Sequence, residues 1–316
     1  HLVRLFENLV EKATQPELLR FLVMDNTRGQ DTKLKSGIDD FRRSLYQHRD
    51  RHLDDDEQEL QIDVYVTDGP DLSGSHAHAQ ALDQAIPLIK TRWILILDPD
   101  VHVFAEDWDS VLLKTLETVA FAGAPYPFWK LGKYHDFPSP VFLFAATEKL
   151  RKLNQPWTPF ALNPFTRSWH FLARQVVRLG FLANRRRVTG SGLISVLGRK
   201  LEQFFGVCGP DTGWLLAREA GNKQMDAALF TPMTRPLEPS SGSLSDQPSY
   251  SPSKEQLSEA VVEALNELIV QYEGYCFQNE LFMTHKYGTG SMVWRTPKGH
   301  DTEYWLNLVD RIEAGL

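Results

Sequence analysis

The chain has 316 residues, of which 42% are hydrophobic and 24% charged, and its formal net charge is −7 at pH 7. This length suits one large α/β domain with insertions, and the acidic balance argues against nucleic acid as a partner. The two cysteines, Cys208 and Cys276, are too few for a disulfide framework or a four-cysteine zinc site. A reducing cytoplasm is therefore the expected compartment.

The first ninety residues alternate helical and strand patterns. In chain order, the predicted elements are a helix from residue 2, a strand at 18–24, a helix at 37–47 behind Ser36 as its N-cap, a strand at 60–67 and a helix at 76–90. Alternation of this kind, with short connections, predicts a mainly parallel sheet with right-handed crossovers.

The stretch at 91–102 ends this alternation and is the most informative part of the chain. Its five apolar residues, 93–97, are too few for an ordinary helix and fit a strand buried on both faces. Asp98 and Asp100 follow directly, and Pro99 between them ends the strand because proline cannot donate to a sheet ladder. Two carboxylates at the carboxyl end of a strand suit an oxygen-seeking cation such as Mg²⁺ or Mn²⁺. An ordinary turn is the alternative interpretation.

This Asp-x-Asp at the end of a buried strand resembles the motif of nucleotide-sugar glycosyltransferases of the GT-A fold, especially their large inverting bacterial family, family 2. The resemblance covers residues 1–125 and two short pieces near 211 and 285. It implies a Rossmann-like GT-A fold in which residues 1–125 bind a nucleoside diphosphate sugar together with Mn²⁺ or Mg²⁺. In that family a strand precedes the first helix, so the 1–125 half is expected to lack its first strand.

The resemblance also implies roles for individual residues. The metal ligands would be Asp98, Asp100 and His285, the donor-binding residues Asp25, Asp98, Gly74 and Lys286, and the catalytic base Asp211. Each has a plainer alternative. In the plainer interpretation, Asp25 merely shapes an Asx turn, Gly74 precedes a simple serine cap, and Asp211 merely caps a helix. His102 is interpreted as a packing or supporting residue and not as a ligand.

The second half, 126–300, is expected to bind the acceptor. From residue 107 onward the predicted elements are a helix at 107–117, strands at 119–124 and 141–146, a helical insertion at 154–200, a flexible loop at 237–254, a helix at 255–272, a strand ending at His285 and a C-terminal helix in 301–316. Within the insertion, 167–187 alternates arginine with large apolar residues. That pattern suits peripheral contact with an anionic membrane, cover for an acceptor groove, or a buried helix with a basic rim.

These observations predict a metal-dependent enzyme that moves one sugar from a nucleoside diphosphate sugar to a hydroxyl, and the resemblance implies the inverting reaction. The acceptor would be a glycan, a lipid-linked molecule or a small molecule. The chain lacks the Gln-x-x-Arg-Trp motif of polymerising relatives, which favours single transfer. Two alternatives stay open: a sugar-phosphate nucleotidyltransferase, and a non-catalytic domain that binds carbohydrate or protein.

Overall fold

The computed structural model of the chain describes residues 2–27, 29–49, 60–69, 74–127, 132–158, 211–233, 258–286 and 301–316, with a few positions between these ranges. The helices in these ranges are α1 (Leu2–Glu11), α2 (Thr32–Arg49), α3 (Ser75–Ala85), α4 (Trp108–Thr115), α5 (Thr147–Leu153), α6 (Trp214–Asn222), α7 (Glu259–Gln271) and α8 (Thr302–Glu313). The strands are β1 (Arg20–Asp25), β2 (Gln61–Val66), β3 (Trp93–Leu97), β4 (Val101–Val103), β5 (Phe121–Pro125), β6 (Pro138–Ala146), β7 (Ala227–Leu229), β8 (Thr231–Pro232), β9 (Glu273–Phe277) and β10 (Glu280–His285).

The described strands form three sheets, in the orders β1-β2, β3-β6-β5-β7 and β4-β10-β9-β8. The fold is therefore α/β with mixed sheets. The expectation of a mainly parallel sheet is wrong for these strands, because only β1–β2 and β5–β7 pair in parallel. Alternation of helix and strand, which favours parallel pairing, is confined to the first part of the chain. Later strands follow one another closely, as β9 and β10 do across Gln278 and Asn279, and such strands pair antiparallel.

Most predicted helices and strands are present, with different ends. The helix expected at 37–47 begins at Thr32, so Ser36 lies inside α2 and is not its N-cap. Asp31 performs that function, since its carboxylate accepts the backbone N–H groups of Lys33 and Leu34 at 3.0 and 3.1 Å. The helix expected at 76–90 ends at Ala85 and continues as a short 3₁₀ turn that contains Pro87.

The core lies between the sheets and the helices. One apolar cluster joins α1, α4 and the β4, β6 and β10 strands, and a second joins α3, α5 and α6 to β3 and β5. Gly123 is required where β5 meets β6. Its φ is +153°, and a Cβ there would lie 2.1 Å from the carbonyl oxygen of Phe142.

Two of the predicted features lie wholly or mostly outside the described residues. The loop at 237–254 lies outside the described residues, as does most of the insertion at 154–200 with its basic helix at 167–187. In the part of the chain that the structure describes, no helix is both long and apolar enough to cross a bilayer.

Candidate metal centre

The carboxylates that follow β3 meet the end of β10 because of strand pairing. Asp98 stays attached to the β3-β6-β5-β7 sheet, since its N–H donates to the carbonyl of Val141 on β6 at 3.2 Å. After Asp100 the chain enters β4, which pairs antiparallel with β10 and sets Val101 opposite His285. The Lys286 N–H then donates to the Asp100 carbonyl at 2.9 Å. The short strand β4 therefore brings together Asp100 and His285, which are 185 positions apart in the sequence.

The three predicted ligands lie together at this point. His285 Nε2 is 3.3 Å from Asp100 Oδ1 and 3.7 Å from Asp98 Oδ2. One ligand atom from each residue can be chosen so that all lie within 4.8 Å of one another. The imidazole is 3% exposed, whereas the two carboxylates are 24% and 30% exposed. The cluster therefore has a fixed inner wall and an outer side open to solvent.

These separations fit a bound cation. A six-coordinate Mg²⁺ holds oxygen ligands at about 2.1 Å, so neighbouring ligand atoms lie about 3.0 Å apart. The imidazole-to-carboxylate distances of 3.3 and 3.7 Å are only slightly wider. Two carboxylate side chains and one histidine leave further coordination positions for water or a substrate oxygen, as catalytic metal sites require.

Two charged residues that the sequence did not indicate complete the inner wall. Glu273, on β9, lies directly opposite His285, and its Oε2 is 3.2 Å from His285 Nδ1. Its other oxygen is 2.7 Å from Nζ of Lys130, which belongs to the segment between β5 and β6. Glu273 and Lys130 are 1% and 6% exposed. On the outer side, His78 Nε2 is 3.6 Å from Asp98 Oδ1.

The charges in this cluster shift one another's pKa values. Burial opposes the charged form of His285, but Asp100 and Glu273 outweigh it and raise the pKa of His285 to about 10. Burial likewise opposes ionisation of Glu273, and Lys130 and His285 still lower its pKa from 4.5 to about 2. Enclosure raises the pKa of Asp98, whereas His285 overcomes the effect of burial and lowers that of Asp100. Without a cation, the protonated His285 therefore supplies the positive charge between the carboxylates of Asp100 and Glu273.

Comparison of the chain with known protein families, curated proteins and solved structures finds no match. The assignment of a function therefore depends on the arrangement of the side chains and on the resemblance of the sequence motifs.

Asp211 lies near the first turn of α3. It is not a helix N-cap as expected, because α6 begins at Trp214 and Gly213, with φ +85°, is its N-cap residue. Instead, Asp211 Oδ2 accepts from Lys133 Nζ at 2.6 Å. Burial acts against ionisation, but Lys133 outweighs it and holds the pKa of Asp211 well below the usual range. This pairing favours the ionised form that a general base needs and reduces its affinity for a proton.

The first turn of α3 connects Asp211 to the metal cluster. The Thr212 hydroxyl, next to Asp211, donates to the Ser75 carbonyl at 2.9 Å. His78, on the same helical turn, approaches Asp98. Gly74 is the N-cap residue of this helix, with φ +56°, and no side chain caps it. The helix expected from residue 76 begins one residue earlier, at Ser75, and a role of Gly74 in donor binding stays a prediction.

The other predicted donor residues have structural partners. The Asp25 carboxylate accepts the Thr27 N–H at 2.7 Å, the Thr27 hydroxyl at 2.6 Å and the Gly29 N–H at 2.9 Å, which is the turn that the alternative interpretation predicted. Burial opposes ionisation there, but these bonds overcome it and lower the pKa of Asp25. The Lys286 ammonium donates to the Thr302 hydroxyl at 2.7 Å. Contact of either residue with a nucleotide stays a prediction.

His102 does not join the metal cluster. Its Nε2 lies 2.7 Å from Glu313 Oε1 on the C-terminal helix, and its ring packs against Phe104. Glu313 also lies 3.2 Å from Lys12 on α1. The interpretation of His102 as a packing residue and not a metal ligand agrees with these contacts.

Proposed function

We propose that the chain is a metal-dependent glycosyltransferase that moves one sugar from a nucleoside diphosphate sugar to an acceptor hydroxyl. The observation that supports this function is the convergence of Asp98, Asp100 and His285 at the end of β3. His285 Nε2 lies 3.7 Å from the Asp98 carboxylate and 3.3 Å from that of Asp100. The two carboxylates suit Mg²⁺ or Mn²⁺, and the imidazole makes Mn²⁺ the better fit because Mg²⁺ takes oxygen ligands.

The residues of the chain would share the work of the reaction. Asp98, Asp100 and His285 would hold the cation, which neutralises the charge that develops on the departing diphosphate. The outer sides of the two carboxylates face solvent, so a diphosphate can approach the cation there. The first turn of α3, from which His78 approaches Asp98, would add N–H dipoles beside the same site.

Asp211 is the proposed base for the acceptor. A base must be within hydrogen-bond reach of the attacking hydroxyl, and its carboxylate must be ionised. Lys133 maintains the ionised form, as the lowered pKa of Asp211 indicates. The acceptor hydroxyl would have to replace Lys133 at one carboxylate oxygen before its proton could pass to Asp211.

Thermal shift with a panel of sugar nucleotides, with and without Mn²⁺, tests this function. We expect one donor to raise the melting temperature only when Mn²⁺ is present, and transfer to release a nucleoside diphosphate. Asp100→Asn should abolish both effects. Asp107→Asn is the matched control, because Asp107 is a surface acid with φ +52°, which asparagine tolerates. Release of pyrophosphate would identify a nucleotidyltransferase instead, and no response to any sugar nucleotide would favour a binding domain.

A further inference from the structure

The residue behind the histidine of the metal centre is an ionisable group in an unusual place. Glu273 is 1% exposed and lies opposite His285 in the β9–β10 pair. Carboxylates are rarely this buried unless they have partners, since removing an ion from water is costly. Glu273 has two such partners, because Oε2 lies 3.2 Å from His285 Nδ1 and Oε1 lies 2.7 Å from Lys130 Nζ.

The contact with Nδ1 determines how the imidazole can act. An ionised carboxylate only accepts hydrogen bonds, so Nδ1 must carry the hydrogen in this contact. In the neutral imidazole the other nitrogen, Nε2, then has the free lone pair. Nε2 is the nitrogen that faces Asp98 and Asp100. A metal-ligating histidine commonly has a carboxylate behind it in this way.

We propose that Glu273 is a positioning residue of the metal centre, which fixes the ring and the tautomer of His285 so that Nε2 binds the cation. This inference depends on the metal centre of the proposed function. Lys130 has a different role, because it balances the charge of Glu273 in a buried environment. The Tyr275 hydroxyl, 3.2 Å from Glu273 Oε2, further restricts the carboxylate.

A purely structural role is the competing explanation. In that case Glu273 would serve only as the buried partner of Lys130, and the loss of either residue would affect the metal centre alike. The two explanations differ for Lys130→Met, which removes the ion pair and keeps the acceptor for Nδ1. Positioning predicts that Lys130→Met retains metal affinity and that the double variant Glu273→Met with Lys130→Met does not. The double variant also leaves no unpaired charge, which favours folding.

The main measurement is Mn²⁺ binding to the full chain without sugar nucleotide, followed by the spin-resonance signal of free Mn²⁺. We expect the double variant to bind at least tenfold more weakly than Lys130→Met, within the 10- to 100-fold loss typical of such supporting residues. Glu273→Gln with Lys130→Met retains an amide oxygen as acceptor and should recover part of the affinity. The matched control is Glu313→Met, which breaks a histidine–glutamate contact away from the cluster, that of His102, and should leave Mn²⁺ affinity unchanged.

A second measurement needs no variant. With Zn²⁺ as a diamagnetic substitute, ¹⁵N spectra of the histidine side chains should show His285 protonated at Nδ1 and metal-bound at Nε2. The opposite tautomer, or a loss of less than tenfold in the double variant relative to Lys130→Met, overturns the role of Glu273. Absence of Mn²⁺ binding to the unchanged chain overturns the metal centre and this inference together. Mn²⁺ binding without sugar transfer defeats the proposed function alone and leaves the role of Glu273 standing.

Discussion

The buried pair of Lys130 and Glu273 should contribute strongly to stability, and Lys130→Met is the variant that measures it. The pair is joined at 2.7 Å and both side chains are almost fully enclosed. Removing one partner of such a pair typically costs about 3–5 kcal/mol, and Glu273 would then keep only His285 and Tyr275 as the partners named above. The lowered pKa of Glu273 agrees in direction, because Lys130 is the largest of the interactions that lower it. We therefore expect the free energy of unfolding to fall by about 3 kcal/mol at pH 7.

Urea denaturation followed by tryptophan fluorescence measures this change. The control is Lys152→Met, which removes a pair of similar length, 2.8 Å to Glu148, whose side chains are 60% and 80% exposed. That variant should unfold at the same urea concentration as the unchanged chain, since exposed pairs contribute little. A loss of less than about 1 kcal/mol in Lys130→Met would refute the argument that the pair is desolvated and mutually dependent.

The pH dependence provides a second check with a defined sign. The folded chain lowers the pKa of Glu273, so the stability it contributes is complete above pH 4.5 and is lost as the pH falls toward 2. Lys130→Met removes the largest of the interactions that lower this pKa. The difference in stability between the unchanged chain and Lys130→Met should consequently shrink as the pH is lowered through this range.

Three further predictions concern other residues. If Asp211 is the general base, Lys133→Met should raise its pKa and move the acid limb of kcat/KM to higher pH; an unmoved limb would exclude Asp211. Asp25→Ala should lower the free energy of unfolding by about 2 kcal/mol in urea, because three donors lose their carboxylate acceptor. Gly123→Ala should cost about 3 kcal/mol or more by the same assay, since its Cβ would collide with the Phe142 carbonyl; normal stability would contradict this backbone geometry.

The local patterns of the sequence were sufficient for the elements that carry the metal centre. The apolar run at 93–97 became β3, and the strand that ends at His285 became β10. The approach of His285 to Asp98 and Asp100 came from the family resemblance and not from the residue patterns. It depends on the pairing of β4 with β10, and three residues of β4 are too short to give a periodic signal.

Glu273 and Lys130 could not have been predicted from the residues alone. Glu273 follows α7 by two residues and resembles one more acidic residue at the end of an amphipathic helix. Its position depends on the register of the β9–β10 hairpin, whose turn residues Gln278 and Asn279 both have positive φ without a glycine to mark them. The β-forming residues Tyr275 to Phe277 were the available signal for β9.

The segment between β5 and β6 explains how four carboxylates can occupy one region of the molecule. Lys130 pairs with Glu273 behind the metal centre, and Lys133, three residues later, pairs with Asp211. This segment thus supplies a counter-charge to two of the four carboxylates, and His285 lies beside the other two. Tyr126, at the start of the segment, lies under both ammonium groups, with Nζ 5.4 and 5.6 Å from the ring centroid. Because the same few residues hold both lysines, a displacement of this segment would unbalance the charge at the metal centre and at Asp211 together.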